Sequence, residues 1–317
     1  MPTSVVVSPR ETSTIVRYIP WRQRLAFAGV GSLSRVAPGA AAWAAERLFL
    51  TPPRHRAPGR ERDLLARARR GAVRVDGRRL ATWTWGVGPR ILLAHGWGGR
   101  GAQLGAFVEP LVANGLSVAW FDGPAHGASE GRLATIPEMA GALRGVVAAL
   151  GPVRGIIAHS GGGVVSGWAI RRWLLDGFVD LPEAIALIAP PSDFRGYLDR
   201  FADACGLTAG ARDRLDRRLT ARVGVPPEAF DLPRFAADLP VPALVVHDRG
   251  DAEVPWTEGA AIADAWPAAE LVTTRGLGHR RILRDPAVVA RVTSFLTERL
   301  ARDSRFAGEA AGLATLC

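Results

Sequence analysis

The sequence predicts an α/β fold in which a mostly parallel central sheet is flanked by helices. From about residue 71 onward, short apolar runs alternate with helix-length segments, which is typical of parallel strands joined by crossover helices. A second indication is the pair Asp76-Gly77 between two strand-like runs, which is a strong hairpin signal. A third is the connection from Pro190 to Leu239, about fifty residues between predicted strands and much longer than an ordinary loop.

The strands are predicted at short apolar runs bounded by Gly, Pro, Asp or His. The hairpin pairs Val73–Val75 with Leu80–Trp85, and the other strands are Ile91–Ala94, Leu116–Phe121, Val153–Ala158, Ala184–Ala189, Ala243–Val246 and Glu270–Thr274. The helices predicted between them are Gln103–Ala113, Pro137–Leu150, Gly162–Leu175, Gly259–Ala268 and Pro286–Arg302. Apolar residues also recur at helical spacing over Phe194–Cys205 and Ala211–Val223, so the long connection is predicted to be an inserted helical subdomain.

Composition divides the chain into three parts. Residues 1–70 are predicted to be an arginine-rich helical leader that ends in the break Thr51-Pro52-Pro53 and a charged stretch. Its segment from about Ala40 to Leu50 has the pattern of an amphipathic helix, for which packing on the main domain is favoured over contact with a membrane. Residues 71–302 carry the α/β domain with its insertion at about 190–239, and the Ala/Gly-rich residues 303–317 are expected to be a flexible tail.

The basic charge is not taken as evidence for a nucleic-acid partner. The formal net charge is +10, but all 40 basic residues are arginine, a bias that GC-rich coding produces. The arginines also alternate with acids, as in Arg212-Asp213-Arg214, which favours a solvated surface of mixed charge over a polyanion site. We therefore expect no nucleic-acid partner.

Cysteine content and hydropathy favour a cytoplasmic protein. Cys205 and Cys317 are the only two cysteines, too few for a disulfide framework. The most apolar early region, Leu25–Leu50, is interrupted by charges such as Arg35 and Glu46, so no transmembrane segment is expected. The start of the chain lacks the order of a signal peptide.

A candidate nucleophile follows the predicted strand Val153–Ala158. Ser160 stands between the small residues Ala158 and Gly162, after an apolar strand and at the start of a helix. This is the small-x-Ser-x-small form of a nucleophile elbow, in which a turn too tight for larger side chains points the serine hydroxyl away from the sheet edge. The N–H groups of the helix would face the developing negative charge.

A serine hydroxyl needs a base and an acid that orients the base. Among six histidines, His279 lies in a loop after the last predicted strand, and Asp251 lies in the loop after the preceding strand. We therefore predict the triad Ser160, Asp251 and His279. Asp248 and Asp193 are competing acids, and Asp251 is favoured by its position before Val254-Pro255.

Two backbone N–H groups are predicted to form an oxyanion hole. Gly161 follows the nucleophile directly, and Trp97 lies in the glycine-rich loop His95-Gly96-Trp97-Gly98-Gly99 after a central strand. Glycines there allow the backbone to approach a bound carbonyl group.

The stretch from about Leu80 to Leu300 resembles an α/β-hydrolase of the bacterial esterase/lipase type. The resemblance rests on the loop from His95, the segment from Phe121 to Ser129, the elbow at Ser160, and the loops of Asp251 and His279. It implies an eight-stranded, mostly parallel sheet with the insertion as a helical cap. It also implies hydrolysis of an ester, thioester or amide through an acyl-enzyme, with no cofactor and no metal. Residues before about 70 are not covered.

The other histidines are interpreted as structural. His95 and His126 lie in loops where this family uses histidine structurally, His159 is expected to make a structural hydrogen bond, and His247 is expected to brace the acid loop.

Three alternatives stay open. A haloperoxidase-like activity without a cofactor would use the same triad. A non-catalytic binding scaffold on this fold would keep only the cleft, and a peripheral membrane protein would use the basic leader. Dehalogenases and epoxide hydrolases are disfavoured because their nucleophile is a carboxylate, whereas position 160 is a serine.

Overall fold

A computed structural model describes residues 21–178 and 180–314, with side chains over 24–178 and 180–301. Its strands are β1 Arg69–Val75, β2 Arg78–Trp85, β3 Arg90–Ala94, β4 Ser117–Phe121, β5 Gly155–His159, β6 Ala184–Ile188, β7 Ala243–Asp248 and β8 Ala269–Thr274. They form one sheet in the order β1-β2-β4-β3-β5-β6-β7-β8, in which β2 is antiparallel to both of its neighbours and all other pairs are parallel. The predicted eight-stranded, mostly parallel sheet is confirmed.

The strands form where the sequence is continuously apolar because helices cover both faces of the sheet. Every residue of β4, β5, β6 and β7 is buried, whereas the edge strand β8 is half-buried. The hairpin between β1 and β2 turns at Asp76 and Gly77, with φ of 47° and 75°. Both residues are in the left-handed conformation that a tight two-residue hairpin requires.

The helices are α1 Trp21–Val36, α2 Pro38–Leu50, α3 Gly59–Arg67, α4 Val108–Ala113, α5 Ile136–Leu150, α6 Gly161–Leu175, α7 Phe194–Ala204, α8 Ala209–Val223, α9 Trp256–Ala265, α10 Gly278–Arg281 and α11 Pro286–Ala314. Residues of α5, α6 and α9 pack in the hydrophobic core on one face of the sheet. Residues of α4 and α11 pack in the core on the other face. The result is a three-layer arrangement in which the carboxyl ends of the parallel strands meet at one edge.

Three helices differ clearly from their predicted extents. The helix predicted at Gly259–Ala268 is α9, which lies three residues earlier at both ends. The segment predicted as one helix over Gln103–Ala113 is a 3₁₀ helix, Gly101–Phe107, followed by α4. Pro110 explains the break, because a residue without an N–H fits the first turn of a new helix and not the interior of a longer one. At the other end, α11 continues past Arg302 to Ala314, through most of the predicted tail. Residues 315–317 lie outside the described residues.

The long connection between β6 and β7 is helical, as predicted. It contains α7, α8 and three short 3₁₀ turns, and we call it the cap. The described part of the leader packs on this cap: Phe27 of α1 and Ala45 of α2 share one hydrophobic core with Leu198 of α7 and Leu215 of α8. The leader residues 1–20 lie outside the described residues. Among the helices that the structure describes, none has both the length and the apolar character needed to cross a bilayer.

One buried carboxylate joins α2 to the cap. Glu46 is 1% exposed, and its two carboxylate oxygens accept hydrogen bonds from Arg218 and Arg222 of α8, each at 2.6 Å. Burial alone would raise the pKa of Glu46, but the hydrogen bonds from Arg222 and Arg218 outweigh it and lower the pKa below its usual value. The ionised carboxylate is therefore the form that stabilises the contact.

We expect Glu46→Gln to lower the free energy of unfolding by about 1–3 kcal/mol at pH 7, because it removes a charged acceptor from two arginines. Since the pKa of Glu46 is lowered on folding, its contribution is fully present above about 4.5 and is lost as the pH falls through the folded-state pKa. The difference between variant and wild type should therefore shrink as the pH falls below about 4.5. Urea denaturation at several pH values measures both effects.

Glu109→Gln is the matched control. Glu109 pairs with Arg67 at the surface, where the two side chains are 65% and 62% exposed. Its loss should change stability by less than about 0.5 kcal/mol. Equal effects of the two substitutions would show that the buried contact does not hold α2 on the cap.

Candidate active site

Ser160 lies in a sharp turn between β5 and α6. Its φ of 52° and ψ of −127° place it in a region that residues with side chains rarely adopt, at a cost of about 1–3 kcal/mol. Two hydrogen bonds hold the turn, since the Ser160 N–H donates to the Ile188 carbonyl oxygen and the Gly163 N–H donates to the Ser160 carbonyl oxygen. A strained residue fixed in this way at the sheet edge indicates a functional position.

Glycines surround this turn because no side chain would fit there. A Cβ atom added to Gly96 would lie 2.9 Å from the Ser160 Cβ atom. One added to Gly162 would lie 2.5 Å from the carbonyl oxygen of Ala94. The glycine-rich loop after β3 therefore packs directly against the turn.

This packing brings together the two backbone N–H groups of the predicted oxyanion hole. A Cβ atom added to Gly161 would lie 3.5 Å from the backbone nitrogen of Trp97. Within residues 21–178 and 180–314, neither of these N–H groups donates to an acceptor of the chain. Gly161 is also the first residue of α6, where the positive end of the helix dipole lies. Two free donors at this position can stabilise negative charge on a ligand oxygen.

The structure brings His279 and Asp251 together. The Nδ1 atom of His279 lies 2.8 Å from Oδ2 of Asp251. The other carboxylate oxygen accepts from the N–H groups of Glu253 at 2.8 Å and Val254 at 3.0 Å. Because a carboxylate only accepts, Nδ1 carries the hydrogen, and Nε2 of the neutral ring is left as an acceptor.

The side chain of Asp251 is completely buried, and a second histidine contributes to its environment. The Nε2 atom of His247 lies 3.1 Å from the Val254 carbonyl oxygen and 3.4 Å from Oδ2 of Asp251. Burial would raise the pKa of Asp251, but hydrogen bonds from His247 and His279 outweigh it and hold the pKa well below its usual range. The acid is therefore ionised at neutral pH.

The competing acids have other contacts. Asp248 accepts hydrogen bonds from the Gly250 and Leu277 N–H groups and from the Thr274 hydroxyl group. Asp193 caps α7 by accepting from the Gly196 N–H at 2.7 Å. In the part of the chain that the structure describes, Asp251 is the acid that contacts His279.

His279 was predicted to lie in a loop but belongs to the short helix α10, which His159 supports. Its Nε2 atom donates to the His279 carbonyl oxygen at 2.9 Å, and the two ring centroids are 4.7 Å apart. Burial, with the neighbouring His279, lowers the pKa of His159 to about 3. His159 is therefore neutral and holds α10 without adding a charge.

His95 and His126 brace the loops near Trp97. The His95 Nε2 atom accepts from the Gly123 N–H at 2.9 Å, and His126 Nδ1 donates to the Pro124 carbonyl oxygen at 2.8 Å. Burial lowers their pKa values to about 4 and about 3, respectively. The Trp97 ring lies edge-on to His126, with centroids 5.2 Å apart.

An apolar pocket opens beside Ser160, with a cavity volume of about 130 Å³. Trp97 lines it, whereas Trp168 is not a lining residue and packs against Phe230. Sequence analysis missed that Phe49 and Leu50 of α2 line the same pocket. The amphipathic pattern of α2 predicts a buried face but not the surface that covers it.

Comparison with known proteins shows the family and the fold of the chain. The sequence model described as "Alpha/beta hydrolase family" matches residues 91–292, more than half of the chain. In sequence, the chain matches no curated protein.

Several solved structures have the same fold. The esterase Pf2001 from Pyrococcus furiosus is 20% identical with a TM-score of 0.59, and the match covers 80% of this chain and 99% of that one. Est1E from Butyrivibrio proteoclasticus, with bound ferulic acid, is 19% identical with a TM-score of 0.57 over 73% and 98% of the two chains. A bromoperoxidase from Bacillus anthracis is 16% identical with a TM-score of 0.55 over 73% and 100%.

We expect Gly162→Ala to lower the free energy of unfolding by about 1–3 kcal/mol, because the new methyl group would meet backbone carbonyl oxygens that cannot move independently. Gly39→Ala in α2 is the control, since a Cβ atom there meets nothing within 4 Å. This control should be neutral or stabilise by up to about 1 kcal/mol. Thermal and urea unfolding of both variants measure the difference, and a neutral Gly162→Ala would contradict the packing described.

Proposed function

This chain belongs to the α/β-hydrolase family, and we propose that it is a serine hydrolase that cleaves a carboxylic ester, or a related thioester or amide, through an acyl-enzyme. The observation that carries the proposal is the hydrogen bond between His279 and Asp251, at the sheet edge where the strained turn presents Ser160. The proposed enzyme acts on a small-molecule acyl substrate and needs neither a cofactor nor a metal.

In the proposed first half-reaction, Ser160 Oγ attacks the substrate carbonyl carbon while His279 Nε2 takes the hydroxyl proton. Asp251 stabilises the resulting imidazolium ring. The carbonyl oxygen becomes an oxyanion and accepts from the Gly161 and Trp97 N–H groups. His279 then gives its proton to the leaving group, the bond to the leaving group breaks, and the acyl group stays on Ser160.

In the second half-reaction, water replaces the leaving group. His279 takes a proton from a water molecule while the oxygen of that water attacks the acyl carbon. The Gly161 and Trp97 N–H groups stabilise the second oxyanion. The proton then returns to Ser160 Oγ as the carboxylic acid leaves. The enzyme ends in its starting state, with Asp251 ionised throughout.

The first experiment is labelling of the purified protein by a fluorophosphonate, followed by mass spectrometry. We expect a single adduct on Ser160, absent in Ser160→Ala and at least a hundredfold slower to form in His279→Ala, because the hydroxyl group needs its base. No adduct, or equal labelling rates in wild type and His279→Ala, would favour the non-catalytic scaffold instead.

Hydrolysis of p-nitrophenyl butyrate tests the assignment of the acid. Asp251→Asn should lower kcat by roughly three to four orders of magnitude, because an amide favours the wrong tautomer of His279. Asp193→Asn is the control, since asparagine also caps a helix and Asp193 does not contact His279. Its kcat should stay within about twofold of wild type. Similar losses in both variants would refute the role assigned to Asp251.

A further inference from the structure

The pocket beside Ser160 is closed partly by residues from outside the α/β domain. The family match begins at residue 91, whereas Phe49 and Leu50 belong to α2 of the leader. They line the pocket together with Phe194 and Phe230 of the cap. A segment that precedes the family domain therefore contributes to the site.

Phe49 is the leader residue with the most aromatic contacts in this region. Its ring centroid lies 6.1 Å from that of Phe194, 5.9 Å from Tyr197 and 5.0 Å from Phe201, all three in α7. These contacts, with the Glu46 ion pairs one helical turn earlier, fix the position of the ring. The Phe49 ring is thus held in place by its neighbours and forms one wall of the pocket.

A second, smaller cavity lies behind this wall. Its volume is about 30 Å³, and it reaches into the cap at Leu219 and Val223 of α8. The two cavities share the same boundary residues: Phe49, Leu50, Thr135, Ile136, Phe194 and Phe230. Removal of the Phe49 ring would join the two cavities.

The residues that line the two cavities indicate the chemistry of the acyl group. Within the described residues, no arginine, aspartate or glutamate lines either cavity. The nearby cap arginine Arg195 is paired with Asp216 and Glu228, and Arg218 is paired with Glu46. An acyl group that carries a carboxylate would lose its hydration here without gaining a cation, so the pocket favours uncharged, apolar acyl groups.

The cavity volume limits their size. A cavity of roughly 150 Å³ holds one benzene molecule, and the pocket at Ser160 is slightly smaller, at about 130 Å³. A single ring or a chain of about four to six carbons fits this space. Longer chains would have to displace the Phe49 ring.

We propose that α2 determines the acyl specificity: Phe49 and Leu50 close the far end of the pocket, so that the protein prefers esters of compact, uncharged, apolar acids and rejects long-chain acids. This inference rests on the proposed function of Ser160. Phe49 acts as a specificity residue that contacts the substrate and takes no part in proton transfer.

The test is kcat/KM for p-nitrophenyl esters of two to twelve carbons. Wild type should prefer acyl chains of about four to six carbons. Phe49→Ala should raise the ratio of the eight-carbon to the four-carbon ester by at least tenfold, because about two more methylene groups become buried. Phe49→Trp should move the preference in the opposite direction, toward the two-carbon ester. Partial misfolding would lower the rates on all esters alike. Opposite shifts of the chain-length preference in the two variants therefore cannot be explained by misfolding.

Trp43→Ala is the control on the same helix. Trp43 is 54% exposed and lines neither cavity, so its substitution should leave the chain-length profile unchanged. A hemisuccinate ester tests the charge argument, and its kcat/KM should be at least tenfold below that of the butyrate ester.

The outcomes separate this inference from the proposed function. If wild type neither reacts with the fluorophosphonate nor cleaves any ester, the proposed function fails. If wild type reacts and cleaves esters but both Phe49 variants keep its chain-length profile, α2 does not set the specificity. Equal rates on the hemisuccinate and butyrate esters would overturn the preference for uncharged groups.

Discussion

The tight turn between β5 and α6 is the constraint on which the rest of the site depends. Ser160 can keep its unfavourable backbone conformation only because the neighbouring strand and the first turn of α6 hold it by hydrogen bonds. The same closeness requires glycine at positions 96 and 162, so the loop after β3 lies against the turn. That approach places the Trp97 nitrogen beside Gly161. One local distortion therefore sets both the exposed hydroxyl group and the pair of free N–H groups.

Neutral histidines maintain the loops around this turn. His95, His126 and His159 are each buried with a lowered pKa, and each makes a hydrogen bond to the backbone. A neutral imidazole suits this purpose because it offers one donor and one acceptor without the cost of burying a charge. His279 differs in its partner, which is the ionised carboxylate of Asp251. This contact separates His279, the proposed base, from the three bracing histidines.

Sequence analysis predicted the features that depend on local pattern and missed those that depend on distant contacts. The continuous apolar runs gave the parallel strands, Asp76-Gly77 gave the hairpin, and the loop order gave the contact between Asp251 and His279. The position of α2 could not be predicted in this way. It depends on which two of the 40 arginines pair with Glu46, and the sequence alone does not distinguish among them. The apolar pattern around Gln103 likewise fits an α-helix and a 3₁₀ helix about equally well. Tertiary packing determines which of the two forms.

The Glu46 ion pairs also have a consequence for synthesis of the chain. Glu46 and Arg218 are 172 residues apart, so α2 leaves the ribosome long before its partner helix exists. At about 5–20 residues per second, this interval is on the order of 10–30 s. Throughout it, α1 is present but the part of the α2 face that packs on the cap has no native surface to cover it, and exposed apolar surface of this kind is what chaperones bind. The wall of the pocket is therefore among the first parts of the described chain to be made, but it is completed only after the cap has been made.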